Sequence, residues 1–286
     1  MIVLSSSTVE MAQPTSLAKG DYVLGTQDAE VQRLGLQHLV WRPRASDAWR
    51  RAGFTVGQHL LDVGCGPGYA TLDLAAIVGA AGKVTAIDRS PKFLDVLRAR
   101  LDKQSLRNVE TIELDLDQGA LPELDGDGAW CRWVFAFLTR PRDLLKAIHS
   151  ALKPGATLVV HEYFNYAAWR LAPRQPGFEE FVQLVISSWR KSGGEPDIAL
   201  ELMSWLPEEG FAIQELCPIV DVVGPRDFVW QWPSTFVDIG LARLAELGYL
   251  TAERAEETRQ MFRRVESNPE AKMITPGVLE IIATRL

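Results

Sequence analysis

Cysteine is scarce in this chain, with three among 286 residues, at Cys65, Cys131 and Cys217, and none in C-x-x-C spacing. That excludes a disulfide framework and an evident zinc or other metal site, and it predicts a reducing, cytoplasmic setting. Positive charge is also short, with 30 Lys and Arg against 37 Asp and Glu and a net charge of −7. An extended nucleic-acid footprint is therefore not expected. No apolar run approaches the length of a membrane span, and the apolar Ile2 to Leu4 has no basic flank to make it a secretory signal. Internal repeats and low-complexity runs are absent. The length suffices for one large domain, or for a domain with a lid.

The most informative stretch that is present is Leu60-Leu61-Asp62-Val63-Gly64-Cys65-Gly66-Pro67-Gly68-Tyr69. It reads as a buried strand running into a glycine turn and then a helix. A second strand, Lys83 to Ile87, follows and ends in Asp88. A strand, glycine turn, helix and second strand tipped by a carboxylate make a nucleoside-binding half of a doubly wound sheet. The glycines let backbone approach a ligand, and Asp88 can accept from two ribose hydroxyls. Asp88 can equally belong to the cap region of the next helix, since Arg89-Ser90-Pro91 suits a helix start. The third glycine of a dinucleotide turn is displaced here, with Tyr69 in its place, and Asp62 points negative charge into the turn. That charge would repel a pyrophosphate but suits a ligand with an ammonium and a sulfonium. The ligand implied is S-adenosylmethionine.

Strand and helix go on alternating. Val109 to Leu114, Gly128 to Val134 and Thr157 to Val160 read as strands, and Leu72 to Val78, Phe93 to Leu101 and Pro141 to Leu152 as helices. Upstream, Asp28 to Trp41 is helical and ended by Pro43, after which Ser46 caps a short helix stopping at Gly53. Beyond Tyr163, helices are expected over Phe178 to Ser192, Ile198 to Leu206 and about Phe228 to Val265. Strands are expected over Phe211 to Val223 and Gly277 to Arg285. The fold class is α/β: a doubly wound, Rossmann-like, seven-stranded, mostly parallel sheet with N-terminal helices and a helical lid inserted after strands 5 and 6. The division expected is a flexible arm at 1–20, a helical segment at 21–56 and the main domain at 57–286, with lid insertions at about 165–208 and 226–272.

The spacing Asp-x-Gly-x-Gly-x-Gly followed by Asp88 resembles the class I S-adenosylmethionine-dependent methyltransferases. Tyr22-Val23-Leu24-Gly25, then Glu30, Leu34, Gln37 and Arg132-Trp133-Val134, is similar to a bacterial small-molecule subgroup related to the ubiquinone/menaquinone-biosynthesis type. The resemblance implies that Tyr22, Gln37 and Arg132 face the methionine end of the cofactor and that Asp115 and Leu116 face its adenine. Asp62, Gly64, Cys65, Gly66, Gly68, Asp88 and Arg89 complete the cofactor set. The subgroup usually has Gly where this chain has Cys131. On physical grounds Arg132 at a strand end offers a fork for a carboxylate, the other reading being a surface ion pair. Gln37 shares a helical stripe with Leu34 and Trp41 and faces inward, toward the cofactor or satisfied by backbone.

The methyl acceptor leaves fewer marks. Displacement at a sulfonium needs alignment and desolvation, and a phenolic acceptor would also benefit from a base. His161 and Glu162 close the fifth strand and are the catalytic candidates. His161 comes first because imidazole titrates near neutrality, against the alternative of a satisfied strand-end histidine. His38, His59 and His149 show no such placement. Tyr163, Trp230 and Trp232 are candidates for the wall of an apolar acceptor pocket. The function expected is methyl transfer to oxygen, nitrogen or carbon of a small apolar or aromatic metabolite, with a homodimer as an open option. A methyltransferase for RNA or protein and a non-catalytic cofactor-binding regulator remain as alternatives.

Overall fold

Apolar side chains on both faces make the central strands interior ones, and the order in which they pair decides where a ligand can sit. The computed structural model describes residues 28–118 and 120–286. Tyr22 and the arm expected at 1–20 lie outside the described residues. In chain order the elements are α1 (Asp28–Arg51), β1 (His59–Val63), α2 (Tyr69–Val78), β2 (Lys83–Asp88), α3 (Pro91–Gln104), β3 (Val109–Glu113) and β4 (Gly126–Arg132). They continue with α4 (Pro141–Ala151), β5 (Leu152–Asn165), β6 (Arg170–Ala172), α5 (Pro176–Lys191), α6 (Ala199–Glu208) and β7 (Phe211–Ile219). The last are β8 (Val222–Val223), α7 (Gln231–Glu246), α8 (Ala252–Glu266), β9 (Lys272–Ile274) and β10 (Gly277–Arg285).

Seven strands form one sheet in the order β3-β2-β1-β4-β5-β10-β7. The first five pair in parallel, and β10 runs antiparallel to both β5 and β7. This is the mostly parallel α/β sheet that the sequence predicts. The chain moves outward from β1 through β2 to β3 and then returns to the other side of β1 for β4. Strand order thus reverses between β1 and β4, which opens a crevice at their carboxyl ends.

Strand alternation assigns the faces. Leu61, Val63, Ala129, Cys131, Leu158 and Val160 pack with α4 and α6, whereas Leu60, Trp130, Val159 and Ile282 pack with α2 and the second half of α1. A third apolar cluster joins Trp41 and Trp133 to aromatic residues of α5, α7 and α8.

Four local readings change. α1 runs through Pro43 without a break. Pro43 denies a hydrogen bond to the Leu39 carbonyl, but Leu39 is 54% exposed, so water can serve that carbonyl, while Trp41, Ala45, Ala48 and Trp49 hold both halves on the core. β5 spans 14 residues because β4 pairs with it from Leu152 and β10 pairs with it from Thr157 to Asn165, beyond the end of β4. The strand expected at 211–223 is divided, with β8 leaving to join β6 and β9 in a three-stranded sheet. α6 covers the sheet through Ala199, Leu202 and Leu206 instead of joining the aromatic cluster.

Candidate active site

The crevice at the reversal point is a cavity enclosing about 990 Å³ of space, open solvent included, with β1, β2 and β4 ending at its wall. β1 passes to α2 through a turn in which Gly64, Gly66 and Gly68 all have positive φ, at 72°, 53° and 81°. A Cβ on Gly64 would stand 2.2 Å from a Val134 methyl and one on Gly68 2.3 Å from Leu97, so these two glycines serve close packing. Gly66 differs: like Gly64 it lines the cavity, but a Cβ there would meet nothing within 4 Å. Its backbone is bare toward whatever enters.

Asp88 ends β2 and ties the turn together. One carboxylate oxygen accepts from the Gly66 N–H and the other from the Ser90 N–H, each at 2.8 Å. The cap of α3 is Ser90, whose hydroxyl accepts from the Phe93 N–H at 3.2 Å. Asp88 is therefore a cavity carboxylate beside the cap, and each of its oxygens keeps a further acceptor site. Burial raises its pKa, against the two N–H groups and Arg89. Asp62 leaves β1 toward α2, where the Thr71 hydroxyl donates to it at 2.6 Å. It is 2% exposed, and burial pushes its carboxyl up to about 7, against Thr71 and Arg132. A cation in the cavity would favour its ionised form.

Arg132, the last residue of β4, has the same parity as Trp130 and so projects toward α1. Its Nη2 lies 3.3 Å from His38 Nδ1, while its Nη1 is buried with no hydrogen-bond partner among the described residues. Burial pulls its pKa down to about 10, which leaves it cationic at neutral pH. The surface ion pair does not apply. A buried guanidinium nitrogen without an acceptor is destabilising, and an anionic ligand group would complete it. His38 also lines the cavity, and its Nε2 lies 3.0 Å from Asp73 Oδ2. Sequence reasoning passed over His38, although it continues the stripe from Leu34 to Trp41.

Gln37 lines the cavity, and its Oε1 accepts from Arg33 at 2.8 Å, with Arg33 paired in turn to Glu30 through two bonds of 2.7 Å. Cys65, Arg89 and Leu116 also reach the wall. Burial raises the Cys65 thiol well above its ordinary pKa. Asp115 is not among the lining residues; its carboxylate accepts from the Asp117 N–H at 3.1 Å and so stabilises the turn that carries Leu116.

His161 and Glu162 do not come to the cavity. His161 is fully buried on the α1 side of the sheet, with Nε2 2.8 Å from Glu280 on β10 and its ring edge-on to Trp41 and Trp130. Glu280 is paired onward with Arg51. His161 is thus tied to β10 through Nε2, its Nδ1 is buried without a partner among the described residues, and neither nitrogen lies at the cavity wall where a base would stand. Glu162, equally buried, faces the other way, and its Oε1 accepts from the Val134 and Phe135 N–H groups at 2.6 and 2.8 Å. It fastens the segment that supplies the cavity wall. Burial pushes its carboxyl up to about 8.

A second, smaller cavity, about 230 Å³ with open solvent included, adjoins the first, walled by Tyr163, Tyr166, Trp169, Trp232 and Phe236, with Arg33 and Gln37 at its polar side. Gln37 lines both cavities. Trp133 lines the first and stacks on Trp232 and Tyr163 of the second, each with centroids 5.6 Å apart. Trp133 holds a left-handed φ of 53°, rare for an aromatic residue. Two of the three aromatic candidates thus meet at this cavity. Trp230 does not; its Nε1 donates to Glu266 at 2.8 Å and its ring stacks on Phe262, so it joins α7 to α8.

A methyltransferase domain family matches residues 60–155, the stretch from β1 into β5 that carries Asp62, the glycine turn, Asp88 and Arg132. The chain is similar to a demethylmenaquinone methyltransferase of Lactococcus lactis, 32% identical over 131 residues, which cover 44% of this chain and 49% of that one. A demethylmenaquinone methyltransferase of Tropheryma whipplei is 29% identical over 193 residues, or 64% of this chain and 74% of its own. The matches therefore span from about half to three quarters of these relatives. A crystal structure from Bacillus halodurans, of a protein named as a candidate methyltransferase, superposes with a TM-score of 0.57 over 84% of this chain and 97% of its own at 18% identity. At that identity the likeness concerns the fold alone. Residues 60–155 thus match a methyltransferase domain family, over the strands and the turn that form the cavity wall.

Proposed function

We propose that the chain transfers the methyl group of S-adenosylmethionine to a small planar aromatic acceptor held in the smaller cavity. The observation that carries this reading is the buried, unpartnered Arg132 Nη1 on a wall that also presents Asp88 and the bare backbone of Gly66. These groups fit the two ends of that cofactor. Asp88 would accept from the ribose hydroxyls, Leu116 would pack on the adenine, and Arg132 with Gln37 would receive the methionine end. Asp62 would offset its positive charge.

When bound, S-adenosylmethionine supplies an electrophilic methyl on a sulfonium. The protein's own contribution is alignment and exclusion of water. Gln37 and Trp133 stand between the two cavities, and the flat walls of Trp232 and Tyr163 would orient a ring against that boundary. Neither His161 nor Glu162 is available as a base, so the reading assigns catalysis to positioning and desolvation. The names of the two curated relatives favour a quinol-type ring as the acceptor. No described helix is long and apolar enough to cross a membrane.

The test is transfer of a labelled methyl from S-adenosylmethionine to hydroquinones, phenols and arylamines, with products identified by mass spectrometry. At least one of these classes should be methylated, and Trp232→Ala should raise the KM for it. Transfer confined to RNA or protein in cell extract would overturn the acceptor class.

A further inference from the structure

His38 offers the Arg132 guanidinium the one acceptor it has in the described structure, and the chemistry of the pair fixes the state of the imidazole. A guanidinium nitrogen only donates, so His38 Nδ1 at 3.3 Å from Arg132 Nη2 must accept. The ring proton then sits on Nε2, where Asp73 Oδ2 receives it at 3.0 Å. Asp73 is held from its other side by Arg42, through bonds of 2.8 and 2.9 Å. The ring of Tyr69 stacks on His38 with centroids 6.0 Å apart, which limits rotation of the imidazole. A chain therefore runs from the surface at Arg42, through Asp73 on α2 and His38 on α1, to Arg132 at the end of β4. It leaves the other nitrogen, Nη1, buried and unpartnered. Burial of His38 and the neighbouring Arg132 lower its pKa, against Asp73, so the neutral ring required by this geometry is also the favoured one.

We propose that His38, locked by Asp73 as its Nε2–H tautomer, is a positioning residue that aims Arg132 at the carboxylate of the ligand. The proposal rests on the reading of the larger cavity as the S-adenosylmethionine site. It assigns the pair to the carboxylate alone and not to the adenosine, which Asp88 and Leu116 serve.

That division makes it testable by calorimetry with two probes, S-adenosylhomocysteine, which has the carboxylate, and 5′-methylthioadenosine, which lacks it. His38→Leu, which removes the acceptor, should weaken S-adenosylhomocysteine about tenfold, as for one hydrogen bond to a charged group, and leave 5′-methylthioadenosine unchanged. His38→Asn, which restores an acceptor near the position of Nδ1, should recover most of the loss. Asp73→Ala, at a half-buried site less exposed to folding defects, should give the same selective loss in smaller degree. Equal weakening of both probes, or no rescue by asparagine, would make His38 a packing residue and overturn the proposal. Selective loss in Arg132→Ala with none in the His38 variants would overturn it while leaving the site intact. If Arg132→Ala itself fails to distinguish the probes, the reading of the cavity falls as well.

Discussion

At the scale of single residues, the cavity is built from groups that do two things at once. Asp88 is the clearest: its oxygens hold the Gly66 and Ser90 N–H groups and keep acceptor sites facing the cavity. Asp88→Ala should weaken S-adenosylhomocysteine by about 2 kcal/mol in calorimetry and also lower the melting temperature, because two N–H groups lose their partner. Glu162 makes a different prediction. Its folded pKa, about 8, lies above the ordinary 4.5, so the folded state binds more protons than the unfolded one between those values. Its stabilising effect is complete below about pH 4.5 and lost as pH rises toward 8. Glu162→Gln keeps an acceptor for the Val134 and Phe135 N–H groups without the titration. Thermal melts should therefore show a smaller loss of stability between pH 5 and pH 9 in the variant, and an unchanged or larger loss would contradict the assignment. The positions of Asp62, the glycine turn, Asp88 and Arg132 were legible because they lie at or just beyond the carboxyl ends of β1, β2 and β4, which local sequence marks. His161 was misread because its partner, Glu280, comes from a strand 119 positions later, and nothing local announces that pairing.

At the scale of elements, α1 decides more than its place at the chain's edge suggests. It brings Gln37 and His38 to the cavity and buries Trp41 and Trp49 completely. Deletion through Trp41 should therefore unfold or strongly destabilise the protein, and not merely abolish ligand binding. A truncated chain with wild-type melting behaviour would refute that role. α7 separates two tryptophans that lie two positions apart. Trp230→Ala should cost about 3–5 kcal/mol of stability with little change in the acceptor KM, since its ring packs between helices. Trp232→Ala should chiefly raise the acceptor KM. Urea melts and steady-state kinetics on the two variants separate the effects. The helix and strand periods of the main sheet were legible from apolar spacing. The three-stranded sheet was not, because β6, β8 and β9 have only two or three residues each and pair across about 50 to 100 positions.

At the scale of the whole molecule, a doubly wound sheet supplies one cavity and aromatic residues of β5, the segment after it and α7 supply a second, with Gln37 and Trp133 between them. The sheet's order makes the first cavity a necessity of topology, which is why the motif could locate it. The second depends on side chains gathered from α1, β5 and α7, and no single stretch of sequence encodes it. We infer that the first cavity takes S-adenosylmethionine and not a dinucleotide, because Asp62 and the displaced third glycine disfavour a pyrophosphate while Arg132 and Asp88 would receive the two ends of the smaller ligand. The most direct measurement is titration calorimetry of the intact chain with S-adenosylhomocysteine and with NADH under the same conditions. S-adenosylhomocysteine should bind stoichiometrically, and NADH should neither bind measurably nor compete; NADH binding the tighter of the two would contradict the account.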